Sequence, residues 1–432
     1  MNTLLTILHR TGFANGSFSN RIARTHANIT FTHCRGGFIR LLATALIFIT
    51  PASYGESISE QAQRLADDLI IADTHIDAPF RLTRDYQDLT QATPRGEFNF
   101  SQAQTGGLDA AFMSIYIPAK HQTEGGAKAL ANQLIDSVEA MVGRAPQSFA
   151  MGLSVQQVRD NHKNGLVSLA MGIENGAAIE GELSNLKHFY ERGIRYITLT
   201  HGKANLISDS SYDEHRPWGG ISPFGGKVIT EMNNLGIMID ISHLSDEAAF
   251  QAVKLSNVPV IATHSSIRKF IPGFERNMDD ALLKALAKKG GVIQINFGSG
   301  FIDNQSRNWQ NKYRDLRKVY LAENNLDRFS PQAKQFAADY RKQNPFPYAP
   351  IERVVDHIDH VRDTVGIEHV GFGSDFDGVG DTLPTGLKTV AQYPALIEAL
   401  LKRGYSETQI EQIASGNLLR VWQQAEDYSK AH

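Results

Sequence analysis

Seven titratable side chains stand at or just past the ends of short apolar runs: His75, Asp77, Glu174, His201, His243, His264 and Asp375. Taken singly, each has an ordinary explanation. A histidine at a strand end is more often a hydrogen-bonded structural residue than a ligand. His-x-Asp is a pattern common by chance, and Glu174, Asp375 or Asp377 could simply cap a helix or turn the chain. The conjunction is different, because burying several unpaired acids and imidazoles together is very costly without a cation. One or two divalent ions would satisfy them all. The chain has 15 histidines but a single cysteine, Cys34. That excludes an intramolecular disulfide framework and a cysteine-based zinc site. Imidazole and carboxylate together suit Zn2+, with Mn2+ or Co2+ as competitors, and the chemistry implied is metal-assisted hydrolysis.

The elements that must position these residues follow from the pattern of the apolar runs. Strand candidates are 69–77, 110–118, 166–174, 195–201, 237–243, 258–264, 291–297 and 369–376, mostly continuous hydrophobic runs suited to burial on both faces. Helical patterns separate them, among them 125–142, 223–235, 245–256, 279–289 and 351–365. Strict alternation implies a parallel sheet, and eight units favour a closed (β/α)8 TIM barrel over an open doubly wound sheet. In such a barrel every strand's C-terminal end opens on one face, so the seven residues converge from six strand ends onto one rim. His75 and Asp77, two apart, fall on the same side of their strand about 7 Å from one another. A helical insertion is expected at about 298–350, between strands seven and eight, because a structureless loop of that length is improbable.

Other patterns are set aside. Gly371-Phe372-Gly373-Ser374-Asp375 has acids where a nucleotide loop would hold phosphates, and Asp375-Phe376-Asp377-Gly378 lacks the remaining ligands of a calcium loop. His357 and His360, three apart on a helix, are expected to face outward, and His369 to sit on the barrel's stability face.

Composition narrows the classes. With 42% hydrophobic, 21% charged and 9% aromatic residues among 432, the chain is ordinary globular protein. A formal charge of −3 offers no footprint for nucleic acid or an anionic membrane. Residues 1–55 carry five arginines and no acid, then an apolar run near 41–50 and a small-residue exit at Ala52, Ser53 and Gly55. This is the pattern of a secretory signal, too short to span a membrane, with residues 56–432 as the catalytic domain. Its removal takes the charge to −8 and leaves a cysteine-free chain, suited to a secreted or periplasmic location. The polar C-terminus gives no sign of a tail anchor.

Seven stretches in order resemble the membrane (renal) dipeptidase family, the zinc dipeptidases of peptidase family M19. They are Asp73-Thr74-His75-Ile76-Asp77, Gly172-Ile173-Glu174-Asn175-Gly176, Leu199-Thr200-His201, Ser222-Pro223-Phe224-Gly225, Asp240-Ile241-Ser242-His243, Thr263-His264-Ser265-Ser266 and the segment 371–378. The resemblance runs from about residue 65 to 420. It implies that His75 and Asp77 ligate one zinc, His243 and His264 the other, and that Glu174 bridges them. His201 resembles the histidine that contacts substrate and the oxyanion, and Asp375 the acid beside the attacking water, with Asp377 its rival. Arg276 resembles the arginine that holds substrate; from the residues alone it reads as an exposed loop position. A homodimer is implied as well. The segments after Glu174 and His201, and the Thr and Ile flanking His75, depart from the family's usual residues, so they bear on substrate preference.

The resulting expectation is hydrolysis of dipeptides, with Arg276 pairing with the free carboxylate. A dinuclear hydrolase of another amide, a lactone or a phosphoester is the nearest alternative. A non-catalytic periplasmic protein that binds metal or peptide is the more distant one.

Overall fold

The computed structural model describes residues 56–432. The export segment expected over 1–55 lies outside the described residues. Among the described residues nine parallel strands occur: β1 (Ile71–Ile76), β2 (Leu108–Tyr116), β3 (Phe149–Met151), β4 (Val167–Glu174), β5 (Ile194–Thr198), β6 (Met238–Asp240), β7 (Ile261–Ser265), β8 (Val292–Ile295) and β9 (Val370–Phe372). Eight pair in the order β1-β2-β4-β5-β6-β7-β8-β9. The ring is closed where the chain leaving β9 meets β1: Asp375 N–H donates to His75 O (3.1 Å) and Asp77 N–H to Phe376 O (2.8 Å). The expected (β/α)8 TIM barrel is therefore the fold.

β3 was not anticipated. Its three residues pair with Val167–Leu169, the first half of the β4 edge that β5 takes over from Met171 onward. A run this short, between two helices, carries too little periodicity to be read.

Burial explains the strand sequences. Every residue of β1, β4, β7 and β8 is buried, as the near-continuous apolar runs require. Inside the barrel, small and large residues alternate: Ala72, Ala110 and Ala170 leave room for Phe112 and Tyr196. Trp422, on the C-terminal helix Asn417–Ala431, packs edge-on against Phe112 at 5.3 Å. Each such aromatic contributes roughly 1.5–3 kcal/mol of apolar burial. Gly172 is required on steric grounds, since a Cβ there would stand 2.1 Å from the Tyr196 ring.

The helices match closely. Pro223–Leu235 begins at a Ser222 cap, with Pro at its first position, and ends at Gly236 in the left-handed conformation. Asp246–Leu255 is capped by Ser245, with Asp246 and Glu247 in its first turn. The insertion is helical as expected, with Ser299–Ile302, Asn304–Glu323 and Pro331–Gln343. Its two longer helices are joined by an aromatic seam in which Trp309 meets Tyr313, Tyr340 and Phe346 at 5.1–5.3 Å.

The outward-facing expectation for the two helix histidines fails. His357 does not face outward: it is fully buried on the helix Glu352–Val365, accepting from Ile267 N–H at Nδ1 (3.0 Å) and donating from Nε2 to Ile302 O (3.0 Å). The insertion and the 267–270 turn cover this helix face, which local periodicity does not reveal. His360 does not face outward either: its side chain is 10% exposed and meets Asp280 at 2.7 Å. His369 stands just before β9, with Nδ1 on Gly291 O (2.7 Å), at the barrel end away from the seven residues.

Candidate active site

The seven residues do converge, but not all from the strands themselves. His75, Glu174 and His264 lie within β1, β4 and β7, and Asp77 follows β1 immediately. His201, His243 and Asp375 lie three residues beyond the last paired residue of β5, β6 and β9. The chain turns there: φ is 70° at His243 and 64° at both Asp375 and Asp377, the left-handed region that L residues usually avoid. Such strain costs about 1 kcal/mol or more per residue and persists only where the surroundings over-determine the backbone. Gly378 completes the turn, for a Cβ there would stand 2.1 Å from Asp77 Oδ2 and 2.3 Å from Asp375 Oδ1.

Glu174 is the centre, buried at 4% exposure. Its Oε1 faces three imidazole nitrogens: His243 Nε2 at 3.0 Å, His264 Nε2 at 3.3 Å and His201 Nε2 at 3.5 Å. Its Oε2 faces His75 Nε2 at 3.7 Å, and that nitrogen lies 3.5 Å from Asp77 Oδ2. The donor atoms form three overlapping groups: His75, Glu174 and His264; Glu174, His201 and His243; and His75, Asp77 and Asp375.

Electrostatics prepares these groups as ligands. Burial pushes His243 and His264 well below the usual imidazole range, so both are neutral. Burial would raise the Glu174 carboxyl, but the facing histidines, His201 and His75 foremost, hold it well below its usual range. His243 Nε2 and His264 Nε2 nonetheless approach to 2.8 Å, and His75 Nε2 has no hydrogen-bond partner. Two neutral imidazoles brought nitrogen to nitrogen beside a carboxylate, with His75 Nε2 and His243 Nδ1 buried and unsatisfied, are costly to hold together without a shared cation. The donor set therefore fits divalent metal.

Supporting residues hold the ligands from behind. Asp240, fully buried, accepts from Thr263 Oγ1 (2.7 Å), Thr198 Oγ1 (2.5 Å), Thr263 N–H and Ser242 N–H (both 2.9 Å). Because the Thr263 hydroxyl proton goes to Asp240, its oxygen accepts from His264 Nδ1 (2.8 Å), which leaves Nε2 free to ligate. Tyr196 Oη meets His75 Nδ1 at 2.9 Å and does the same for β1. Asp73 accepts from His75 N–H, Ser374 N–H and Tyr393 Oη, tying β1 to the segment after β9. Asp73 and Asp240 sit in stretches already singled out, two and three residues before a histidine. Nothing local marks Tyr196.

The two candidate acids are separated. Asp375 Oδ2 accepts from Asn296 Nδ2 (2.7 Å), and Asp375 belongs with His75 and Asp77. Burial, reinforced by the neighbouring Asp77, pushes its carboxyl well above the usual range. Asp377 instead pairs with Arg81 (3.1 Å) and accepts from Glu97 N–H (2.8 Å). Arg276 corrects the exposed-loop reading: it is 3% exposed, donating from Nη1 to Ser265 Oγ (2.7 Å) and from Nη2 to His264 O (2.8 Å). Its Nε–H has no partner.

The cluster opens into a cavity of about 560 Å³ whose lining includes Glu174, His201, His243 and Asp375. Only His201 is substantially accessible, at 23% of its side chain, with burial lowering its pKa.

A barrel with carboxylates and histidines gathered at the C-terminal ends of its strands is a metal-dependent hydrolase site. Residues 59–432 match the membrane dipeptidase family, peptidase family M19, and the chain belongs to that family. It is 31% identical over 378 residues to dipeptidase 3 of Mus musculus, covering 85% of this chain and 67% of that protein. Two solved structures share the fold. The probable dipeptidase PvdM from Pseudomonas aeruginosa superposes with a TM-score of 0.75 at 24% identity, over 87% of this chain and 100% of that one. A metallopeptidase from Rhodobacter sphaeroides, liganded with a phosphinate mimic of the dipeptide L-Ala-D-Ala, gives 0.67 at 23% identity, over 83% and 100%.

Proposed function

We propose that the chain is an exported dinuclear zinc dipeptidase, with residues 56–432 as the catalytic domain and 1–55 as the export segment. Family membership and curated relatives named dipeptidases support the substrate class. The observation that carries the dinuclear reading is Glu174, whose two oxygens face separate imidazole sets. His75 and Asp77 would hold one ion, His243 and His264 the other, with Glu174 between them. When bound, the ions supply Lewis acidity and lower the pKa of water towards 7. No helix among the described residues is long and apolar enough to cross a membrane.

The chain's own residues divide the remaining work. Asp375, with its raised pKa and one oxygen fixed by Asn296, takes the proton from the attacking water and returns it to the leaving amine. His201, neutral and facing the cavity, donates from its ring to the oxyanion, a contact worth about 3 kcal/mol. The free Nε–H of Arg276 contributes to holding the substrate's α-carboxylate. The protein acts as a homodimer, which sedimentation would test.

Glu174→Gln removes the charge that both imidazole sets face. Dipeptide hydrolysis should be abolished and bound metal, measured by elemental analysis, reduced. Unchanged turnover would sink the assignment.

A further inference from the structure

The metal-facing floor occupies one end of the cavity; the other end is cationic. Arg84 and Arg328 line the same 560 Å³ space, and both are exposed. Three successive contacts of under 5 Å lead from the floor to Arg84: the Tyr116 ring is 4.9 Å from His201, Phe80 is 4.8 Å from Tyr116, and the Arg84 guanidinium lies 4.7 Å over Phe80. Phe329 then sits between the two arginines, 5.7 Å from Arg84 and 4.5 Å from Arg328.

The charges around them are already matched. Arg81 pairs with Asp377 at 3.1 Å, and Asp85 with Arg95 at 2.6 Å. Among the described residues Arg84 and Arg328 are in no ion pair, although the chain as a whole is acidic. Arg328 is also held in place. It sits in the turn between Asn304–Glu323 and Pro331–Gln343, where Asn325 adopts φ 46°, Phe329 N–H donates to Asp327 Oδ1 (2.7 Å) and Arg317 donates to Arg328 O (2.6 Å). A guanidinium stacked on an aromatic face keeps its in-plane N–H groups free for a carboxylate and loses little entropy in binding one.

We propose that Arg84 and Arg328 are specificity-determining residues that select dipeptides bearing an acidic side chain. This rests on the dipeptidase reading. A dipeptide with its scissile bond at Glu174 and His201 spans about 7 Å when extended and shares the cavity with the aromatic wall; an Asp or Glu side chain directed along that wall would approach the two guanidinium groups. The α-carboxylate common to all dipeptides has the same chemistry, and the experiment must separate the two sources.

The test compares kcat/KM for Ala-Glu and Glu-Ala with their amide isosteres Ala-Gln and Gln-Ala, and with Ala-Lys and Ala-Ala, on the zinc-loaded full chain. The better acidic substrate should exceed its isostere by about tenfold, the scale of two partly exposed charge contacts, and added salt should shrink that ratio. The R84A/R328A double variant should bring the acid-to-amide ratio close to one. R84E/R328E should invert it in favour of Ala-Lys, which a merely structural role would not do. Cleavage of Ala-Ala by the unaltered protein with no acid-to-amide preference would overturn the proposal and leave the dipeptidase reading intact. An equal loss on every dipeptide in R84A/R328A would overturn it too, by assigning the arginines to the α-carboxylate. Failure to cleave any dipeptide would take both readings down.

Discussion

At the C-terminal ends of the strands, Glu174, His75, His243 and His264 are buried, and His75, His264 and Asp375 are each held from behind by a named partner. At the tip of the helical insertion, Arg328 and Phe329 are exposed, and they stack with Arg84, also exposed, which follows the helix after β1. The first region inherits its geometry from the barrel, because β-pairing and buried hydrogen bonds orient the rings of His75 and His264. In the second, Arg328 and Phe329 are carried on a helical hairpin held by an aromatic seam and by exposed contacts such as Arg341 with Asp381 (2.7 Å). Chemistry that needs sub-ångström placement therefore sits on the closed sheet. Selection, which needs only charge within reach, sits on an element that can vary without disturbing the sheet.

The largest break in this contrast should come from the floor. Asp375→Asn keeps the shape and the Asn296 contact region but removes the proposed proton acceptor. Activity should fall about 10²–10⁴-fold with metal content retained, while Asp377→Asn falls far less. Equal losses in the two variants would erase the distinction drawn from Asn296 and Arg81.

Next is the support beneath the floor. Tyr196→Phe deletes only the hydroxyl facing His75 Nδ1. Metal affinity should drop about tenfold or more in a chelator competition, with the barrel otherwise intact by circular dichroism. An unaltered affinity would show that His75 is positioned by packing alone.

The hairpin should respond differently. Trp309→Ala removes the residue at the middle of the aromatic seam and a hydrogen bond to Asn344 O (3.0 Å). The loss of about 3 kcal/mol or more of packing is local. KM should rise several-fold, proteolysis should begin near residues 324–330, and kcat should move much less. A loss of kcat together with metal would mean that the hairpin is part of the floor.

The last effect is absent at neutral pH and emerges only in acid. His357 is pushed down to about 3 by burial, against about 6.5 when unfolded. The unfolded chain binds the extra proton between those values, so this residue's contribution is complete above pH 6.5 and lost as pH falls towards 3. His357→Gln should flatten the acid limb of the stability curve by about 1.4 kcal/mol per pH unit, read from urea titrations across that window. An unchanged slope would mean that the proton is taken up elsewhere.

Much of the floor was legible without a structure. Each barrel strand except β3 coincides with an apolar run, because a strand buried on both faces needs nothing but local hydrophobicity and β-branching to announce itself. His75, Asp77, Glu174 and His264 could be placed from the ends of those runs. The positions three residues further on were harder: His201, His243 and Asp375 read as strand, whereas the chain has already turned through left-handed backbone at the last two. An apolar run shows where pairing can begin but not where the neighbouring strand stops offering partners.

Long-range contacts decided the rest. The choice of Asp375 over Asp377 depends on Asn296 and Arg81, which are distant in the chain. The burial of Arg276 and His357 depends on elements folded over them, invisible to a local window. Arg84 and Arg328 are separated by most of the barrel and meet only because the insertion docks over the helix that follows β1. Residue types and spacing along the chain determined the fold class, the ligand inventory and the family resemblance, since these depend on local burial and short motifs. Which groups face one another depends on barrel closure and insertion packing, and those are properties of contacts made across hundreds of residues.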